Sequence, residues 1–249
     1  MTIEVRRDSE IYSKEGGWFS ARWHFSFDDY RDPENMGFGP LRVFNDDRLI
    51  AGADWPMHPH RDIEGITYVV EGRFEHLDSL GNDGQLPPGS IQRATLGSGM
   101  YHSERNGSKT EPMRFLQFWI LPDTADLTPE NVQRVFTKED RTDRLLKVIG
   151  PDGGPDKPWE KVHQDATVHI ASLSPGVEVN HEIGAGRGVY LYLISGDATL
   201  NGERLTMGDA AKVKDESSLS IKAGETSELI LVDIPLEWTP VGVWAGLRT

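Results

Sequence analysis

The 249-residue sequence contains no cysteine. Disulfides, zinc ribbons and iron–sulfur clusters are therefore excluded, and a metal ion could be bound only by histidine and carboxylate side chains. No run of about 18 apolar residues occurs, so no transmembrane helix is expected. The first residues contain no apolar stretch with a cleavage site, so no secretory signal peptide is predicted. These absences favour a cytoplasmic protein with no membrane partner.

Positive charge is also scarce in this sequence. Its 26 lysines and arginines are outnumbered by 40 acidic residues, which gives a formal net charge of −14. An acidic surface offers no electrostatic footprint for phosphate backbones or anionic lipid. Direct binding of nucleic acid is therefore not expected. The mean hydropathy of −0.48 and the dispersed charge indicate a globular chain rather than a disordered one.

Long helical periodicity is missing, and short apolar strands separated by Gly, Pro, Asn and Asp turns follow one another along the chain. This spacing is typical of β-sandwiches and β-barrels. One short helix is predicted over residues 129–136, because Thr128 and Pro129 fit the N-cap and first helical positions. The sequence therefore predicts an all-β fold with few short helices.

The two halves of the sequence carry a similar pattern. A strand at residues 66–70 is followed by Gly72, and a strand at residues 189–194 is followed by Gly196. Each glycine precedes a later Gly turn that begins another strand, which indicates an internally duplicated β unit. A polar stretch at residues 151–156 is predicted to link the halves. We expect an N-terminal metal-binding barrel, a connecting segment with a short helix and a degenerate C-terminal barrel, at residues 1–125, 126–156 and 157–249.

Two short motifs carry the chemistry that the sequence predicts. His58 and His60 flank a proline, which favours extended backbone for the preceding residue, and positions i and i+2 of a strand point to one face. His102 and Glu104 repeat this spacing. On adjacent strands, three imidazoles and one carboxylate would converge and suit a first-row divalent metal with open coordination positions. The alternative is two unrelated histidine turns on the surface of a chain with eight histidines.

Other polar residues are weaker candidates. Glu64 lies four residues past His60 and could compete with Glu104 as the carboxylate ligand. His76 is interpreted as a histidine on a strand face rather than as a ligand. His24 lies in an aromatic cluster and is interpreted as packed and hydrogen-bonded. The alternative is that it donates a hydrogen bond to a metal ligand.

The remaining candidates have a structural interpretation. Asp28 and Asp29 could form a paired acid–base site, but they are interpreted as turn residues before Tyr30. Three further histidines have no partner at i+2 that could ligate a metal, and they are His163, His169 and His181.

The motifs together resemble the pirin family of the cupin superfamily. The resemblance spans the chain and weakens after about residue 150. The residues that carry it are 25–30 (FSFDDY), 36–43 (MGFGPLRV), 58–62 (HPHRD), 66–72 (ITYVVEG), 75–82 (EHLDSLGN), 88–89 (PG), 102–104 (HSE) and 117–122 (QFWILP).

The resemblance implies a bicupin fold, in which two antiparallel β-barrels of jelly-roll type share one chain and only the N-terminal barrel binds metal. The family ligands map onto His58, His60, His102 and Glu104, which favours Glu104 over Glu64. One Fe(II) ion is the expected cofactor, with Mn, Ni, Co, Cu or Zn as alternatives. Aligning Gly89 with Gly208 places Ile221 and Ala223 where His102 and Glu104 stand, so the second barrel is expected to be degenerate.

Pirins that resemble quercetin 2,3-dioxygenases open a flavonol with O₂ and release CO, so the resemblance implies an oxidoreductase with a small aromatic substrate. Glu104 is the expected catalytic base. Phe44, Met57 and Phe115 are expected to form a hydrophobic rim. The alternative is a non-catalytic iron-binding regulatory or redox-sensing protein that acts through a protein partner, for which the ligands would be identical.

Overall fold

The computed structural model describes residues 2–247, and its chain is nearly all β. The chain packs into two compact units. The N-terminal unit comprises residues 12–136 and 239–247, and the C-terminal unit comprises residues 2–11 and 137–238. None of the helices in the described chain is long and apolar enough to cross a membrane.

The strands are numbered along the chain. The first twelve are β1 (Thr2–Arg6), β2 (Tyr12–Glu15), β3 (Phe19–Trp23), β4 (Leu41–Leu49), β5 (Asp54–His60), β6 (Glu64–Glu71), β7 (Phe74–Asp78), β8 (Asp83–Leu86), β9 (Ser90–Thr95), β10 (Met100–Asn106), β11 (Met113–Ile120) and β12 (Glu130–Val135). They are followed by a helix, α1 (Lys138–Arg141), and by β13 (Leu146–Gly150), β14 (Glu160–Lys161), β15 (Thr167–Leu173), β16 (Glu178–Glu182), β17 (Arg187–Ser195), β18 (Asp197–Leu200), β19 (Glu203–Thr206), β20 (Ala210–Lys214), β21 (Ser218–Ala223) and β22 (Ser227–Pro235). Single 3₁₀ turns lie at Asp8–Glu10 and Gly242–Trp244.

The N-terminal unit consists of two antiparallel sheets. The larger has the order β12-β9-β6-β11-β4-β3-β2, and the smaller has the order β5-β10-β7-β8. Side chains alternate between the two faces of a strand, and in β10 this alternation buries Met100, His102, Glu104 and Asn106. Two polar residues with metal-binding chemistry therefore occupy inward positions that an ordinary β-sandwich fills with apolar side chains.

The C-terminal unit repeats this arrangement. Its sheets have the orders β1-β20-β17-β22-β15-β13-β14 and β16-β21-β18-β19, and the pairing of β13 with β14 is parallel. The central order β20-β17-β22-β15 matches β9-β6-β11-β4 of the N-terminal unit. Strands of the C-terminal unit enclose an apolar core that includes Leu191, Leu219, Ile221 and Leu231. The predicted all-β bicupin of jelly-roll type is confirmed.

Two glycines mark the repeat at equivalent strand ends. Gly72 and Gly196 have positive φ values of 83° and 89°. A Cβ added at Gly72 would lie 2.6 Å from the Pro112 carbonyl oxygen, and one at Gly196 would lie 2.5 Å from that of Thr226. Both the backbone conformation and the close approach require glycine, so the duplicated strand-and-glycine pattern has the same physical cause in both units.

The helix predicted over residues 129–136 is wrong. That segment is β12, which pairs with β9 through Val132 opposite Arg93 and Arg134 opposite Ile91. An unpaired edge of the larger sheet is available there, and pairing with it outweighs a local N-cap signal. The helix begins instead after Thr137, whose side chain accepts from the Asp140 backbone N–H at 3.2 Å.

Each terminal segment packs in the unit formed mostly by the other end of the chain. Strand β1 pairs with β20. Near the C-terminus, the Val243 backbone N–H and the Trp244 indole N–H both donate to Asp62, at 3.1 and 2.9 Å. Residues 151–156, expected as the linker, form the loop between β13 and β14. The boundaries 1–125, 126–156 and 157–249 stay predictions of where separable segments meet.

Candidate metal centre

Strands β5 and β10 bring three histidines together in the smaller sheet of the N-terminal unit. His102 lies directly opposite His58, and Met100 lies opposite His60. The ring centroid of His58 is 4.5 Å from that of His102 and 4.8 Å from that of His60, and the His60 and His102 centroids are 5.2 Å apart. One ring nitrogen from each histidine lies within 4.8 Å of the others. This arrangement suits a divalent metal ion.

The hydrogen bonding of His58 prepares its ring for ligation. Its Nδ1 lies 2.8 Å from the Pro56 carbonyl oxygen. Because a carbonyl only accepts, Nδ1 carries the hydrogen, and the lone pair is on Nε2. A backbone partner on one ring nitrogen fixes both the tautomer and the ring orientation, as is common for metal-binding histidines.

Glu104 lies beside the histidines, after a bulge between His102 and Glu104. Its Oε1 accepts a hydrogen bond of 2.7 Å from Gln117 Nε2 and lies 3.4 Å from His102 Nδ1. Among residues 2–247, neither Glu104 Oε2 nor His102 Nε2 has a hydrogen-bond partner, although both atoms are buried. Buried polar atoms are nearly always paired, so an anionic oxygen and an imidazole nitrogen left together fit a bound cation.

Burial sets the electrostatics of this group. Burial and, to a smaller extent, the neighbouring histidines lower the pKa of His60 and that of His102 to about 3. Both rings are therefore neutral near pH 7, which is the form that ligates a metal. Burial raises the pKa of the Glu104 carboxyl, while His58 and the hydrogen bond from Gln117 act in the opposite direction.

A cavity of about 560 Å³ opens over this group within the N-terminal unit. Its walls are largely aromatic. The Trp119 ring centroid lies 4.7 Å from that of His60 and 5.5 Å from that of Phe27, which in turn packs edge-on against Trp23. Trp55 and Met57 line another part of the wall. The cavity is large enough for a flat molecule of several rings and buries it against apolar surface.

The aromatic lining differs from the expected hydrophobic rim. Met57 lines the cavity as predicted. Phe44 and Phe115 are fully buried in the core, so their predicted place at the rim is wrong. Phe44 is next to the lining residue Asn45 but points to the opposite side of β4. Phe115 shares a face of β11 with Gln117 but packs in the apolar core against Phe74, so nearness along the chain does not place either phenylalanine at the rim.

One amide and one acidic side chain of β4 also face the cavity. Asn45 and Asp47 are 2% and 4% exposed, and the Oδ1 atom of each has no hydrogen-bond partner in the described chain. Burial raises the pKa of Asp47 well above its ordinary value, with further contributions from Asp46 and Glu104. The sequence analysis missed both residues, because no motif distinguishes them from other polar residues on a strand.

The other carboxylates are used elsewhere. Glu64, the competitor for the metal, accepts from Thr95 Oγ1 at 3.0 and 3.1 Å and is outside the histidine group. Asp28 lines the cavity, whereas Asp29 forms an ion pair with Lys14. The two adjacent aspartates therefore do not act on a common point.

The remaining histidines also lie outside the group. The His24 ring is fully buried and packs against Phe44 at 4.9 Å. His76 is buried on β7, with its Nε2 bonded to Gln133. In the C-terminal unit, His169 and His181 have ring centroids 5.1 Å apart, and His181 Nε2 lies 2.7 Å from Asp233 Oδ2.

Comparison with known proteins agrees with the fold and the site. The pirin family model matches residues 4–120, and the model of the quercetinase C-terminal cupin domain matches residues 148–234. A quercetin 2,3-dioxygenase from Escherichia coli is 39% identical over 234 residues, which covers 94% of this chain and 99% of that protein. A pirin-like protein from Caulobacter vibrioides is 39% identical over 231 residues, which covers 93% and 99%. The chain belongs to the pirin family.

Solved pirin structures are similar to this chain over nearly its whole length. The crystal structure of YhhW from Escherichia coli has a TM-score of 0.89 and 38% sequence identity, and the match covers 96% of this chain and 99% of that one. A structure of the same bacterial pirin in complex with nickel(II) has a TM-score of 0.88 and covers 96% and 100%. A pirin fold and a three-histidine site suited to a divalent metal are thus both present in this chain.

The second barrel of this pirin has an apolar counterpart of the site. In the smaller sheet of the C-terminal unit, Val179 lies opposite Ile221 and His181 opposite Leu219. By the same register, these pairs correspond to His58 with His102 and His60 with Met100. One histidine is retained there, and it is bonded to Asp233.

Proposed function

We propose that this pirin is a dioxygenase that uses a divalent metal ion, Fe(II), and O₂ to open the ring of a flavonol such as quercetin and release CO. The observation that carries the proposal is the aromatic cavity of about 560 Å³ over three imidazoles and a buried carboxylate. Relatives 39% identical over nearly the whole chain carry the name quercetin 2,3-dioxygenase, which supports the same substrate class.

The proposed metal ligands are His58, His60, His102 and Glu104. Three neutral nitrogens and one carboxylate satisfy a first-row divalent ion and leave positions for substrate and O₂. Such an ion, when bound, supplies Lewis acidity toward the substrate hydroxyl and one-electron chemistry for O₂. The unpartnered atoms His102 Nε2 and Glu104 Oε2 are the donors that this role requires.

The cavity walls would bind and orient the flavonol. Trp119 and Phe27 present ring faces and edges against which a flat polycyclic molecule packs, and burying that surface excludes water from the reacting atoms. Trp119 also contacts the His60 ring, so substrate packing and ligand orientation depend on the same side chain.

Glu104 is the proposed catalytic base. Glu104 would be a weak ligand that is also a base: Oε2, which has no hydrogen-bond partner in the described chain, accepts the proton of the flavonol 3-hydroxyl, while Gln117 holds Oε1 in place. Burial raises the pKa of this carboxyl, and a carboxylate with a higher pKa is a better base near neutral pH. The proton thus moves from the substrate oxygen to Glu104 Oε2 before ring opening.

The test is O₂ uptake and CO release by the iron-loaded protein with a panel of flavonols, for the wild type and Glu104→Gln. The amide keeps the size of the side chain but removes nearly all of its basicity. Turnover should fall about 100-fold or more, the usual scale for losing general-base catalysis. The loss should shrink at high pH, where more flavonol is already deprotonated in solution.

Two outcomes contradict the proposal in different ways. A Gln variant that stays iron-loaded and reacts at the wild-type rate would show that Glu104 is not the base. A wild type that consumes no O₂ with any flavonol would exclude the dioxygenase and favour a metal-binding regulatory protein. The matched control is His163→Ala in the C-terminal unit, which should leave metal content and O₂ uptake unchanged.

A further inference from the structure

Three consecutive residues of β4 have very different surroundings. Asp46 faces away from the cavity and accepts hydrogen bonds from Arg114 Nε at 2.9 Å and Nη2 at 2.6 Å. Asn45 and Asp47 point to the opposite side of the strand and line the cavity. The buried charge of Asp46 therefore has a dedicated partner, whereas the Oδ1 atoms of Asn45 and Asp47 have none within the described chain.

The unpartnered atoms of Asn45 and Asp47 point to a ligand. Both side chains are more than nine-tenths buried, and the Oδ1 atom of each accepts no hydrogen bond among residues 2–247. A buried oxygen without a partner destabilises a folded protein, so two such oxygens on one face of one strand need an explanation. Because both line the cavity, hydrogen-bond donors of a bound molecule would satisfy them.

The neighbouring side chains define what kind of molecule fits. Asn45 lies opposite Gln117 on β11 and opposite Trp23 on β3. Gln117 donates to Glu104, so a row of polar side chains extends from Glu104 through Gln117 to Asn45 on β4. The aromatic wall of the cavity lies beside this row. An aromatic ring that carries hydroxyl groups matches both features, since its faces pack on tryptophan and its hydroxyl hydrogens donate to oxygen.

We infer that Asn45 and Asp47 bind phenolic hydroxyl groups of the substrate other than the hydroxyl held at the metal, and so select polyhydroxylated aromatic molecules over less hydroxylated ones. This inference rests on the proposed function, because it names the substrate class of the same cavity. The two residues are binding residues and take no part in the proton transfer assigned to Glu104.

The test measures flavonol binding without O₂ to the metal-loaded protein, using quercetin and analogues that each lack one phenolic hydroxyl. In the wild type, one or more analogues should bind about fivefold to tenfold more weakly than quercetin, the value of one neutral hydrogen bond. Asn45→Leu and Asp47→Leu, made separately, should each weaken quercetin binding by about the same factor. Each should also remove the discrimination against one analogue.

A second readout separates binding from a structural role. Each leucine variant removes a buried oxygen that has no partner, so its melting temperature without ligand should equal or exceed that of the wild type. A residue needed only for the fold would show the reverse, a lower melting temperature with discrimination unchanged. Ser90→Ala is the matched control, since Ser90 Oγ is also buried without a partner in the described structure but does not line the cavity. It should leave flavonol binding unchanged.

The outcomes distinguish the inference from the proposed function. If both leucine variants bind quercetin and discriminate among analogues as the wild type does, the inference is wrong and the dioxygenase proposal stands. If the wild type neither binds nor consumes any flavonol, the dioxygenase proposal fails and the inference fails with it. If the leucine variants lose discrimination among the analogues while the wild type turns over flavonol, both the inference and the dioxygenase proposal are supported.

Discussion

The smaller sheets of the two units have the same strand order but opposite chemistry at the same place. In the N-terminal unit, His58 and His102 lie opposite each other, and in the C-terminal unit Val179 and Ile221 do so. In the described chain, His102 Nε2 and the nearby Glu104 Oε2 are buried without a partner beside a cavity, whereas Ile221 is part of a continuous apolar core. The N-terminal unit thus has histidines at these interior positions, and the C-terminal unit has apolar side chains that pack in its core.

A duplicated β fold can thus place stability in one unit and chemistry in the other. Unpartnered buried polar groups destabilise the unit that contains them, and sites built from such groups commonly reduce stability. Removing a buried polar side chain from the N-terminal unit should therefore lower the free energy of unfolding less than truncating an apolar core residue of the C-terminal unit.

Removing a ligand should abolish metal binding only when the ligand is in the N-terminal unit. His58→Ala or His102→Ala should weaken metal affinity more than about 100-fold, because losing even an outer partner of a ligand costs up to that much. His169→Ala and His181→Ala, the matched controls, should keep wild-type metal content. Metal analysis after dialysis measures both. Equal losses in the two units would mean that the site lies elsewhere.

Truncation at the equivalent apolar position should have the opposite effect. Ile221→Ala should lower the free energy of unfolding by about 2–5 kcal/mol, the usual cost of removing a buried aliphatic side chain. In metal-free protein, His102→Ala should cost clearly less, because the imidazole removed has a buried nitrogen without a partner in the described chain. Urea unfolding of both variants in the presence of a chelator tests this. A larger loss for His102→Ala would contradict the contrast between the units.

The contribution of buried histidines to the pH dependence of stability should also be larger in the N-terminal unit. Burial lowers the pKa of His60 and His102 to about 3 and that of His169 to about 4, from an ordinary value of 6.5. At these histidines the unfolded chain therefore binds more protons below pH 6.5, so the stability that they contribute is fully present above that pH and falls as the pH drops toward 4. Each group contributes up to about 1.4 kcal/mol per pH unit.

Melting curves of metal-free variants between pH 7 and pH 4 measure this slope. His60→Leu and His102→Leu combined should reduce the slope by about two protons, and His169→Leu should reduce it by about one. The order would be reversed if the histidines of the N-terminal unit were more readily protonated than His169. Such a result would remove the electrostatic part of the comparison.

The three-histidine group was largely predictable from the sequence, for a local reason. Pro59 favours extended backbone at His58, and strand alternation then directs His58 and His60 to one face. Their meeting with His102 needed only that β5 and β10 be adjacent, which the family resemblance implied. The all-β class and the duplicated glycine turns followed from similarly local patterns.

The parts that failed depend on contacts between distant segments. Strand β12 pairs with β9 at a free sheet edge, and no local pattern reveals that edge. The cavity walls combine Trp23, Trp55 and Trp119 from three separate strands. Asn45 and Asp47 became candidates only when the structure showed that the Oδ1 atom of each lacks a partner in the described chain, a property of surroundings rather than of residue type.

Metal stoichiometry tests the contrast between the two units most directly. The N-terminal unit has three histidines within ligand distance of one another, and the equivalent register of the C-terminal unit has Val179 and Ile221. Reconstitution with excess divalent metal, followed by removal of weakly bound ions and elemental analysis, should give one metal ion per chain. Two tightly bound ions per chain, or one that persists in His102→Ala, would contradict the account.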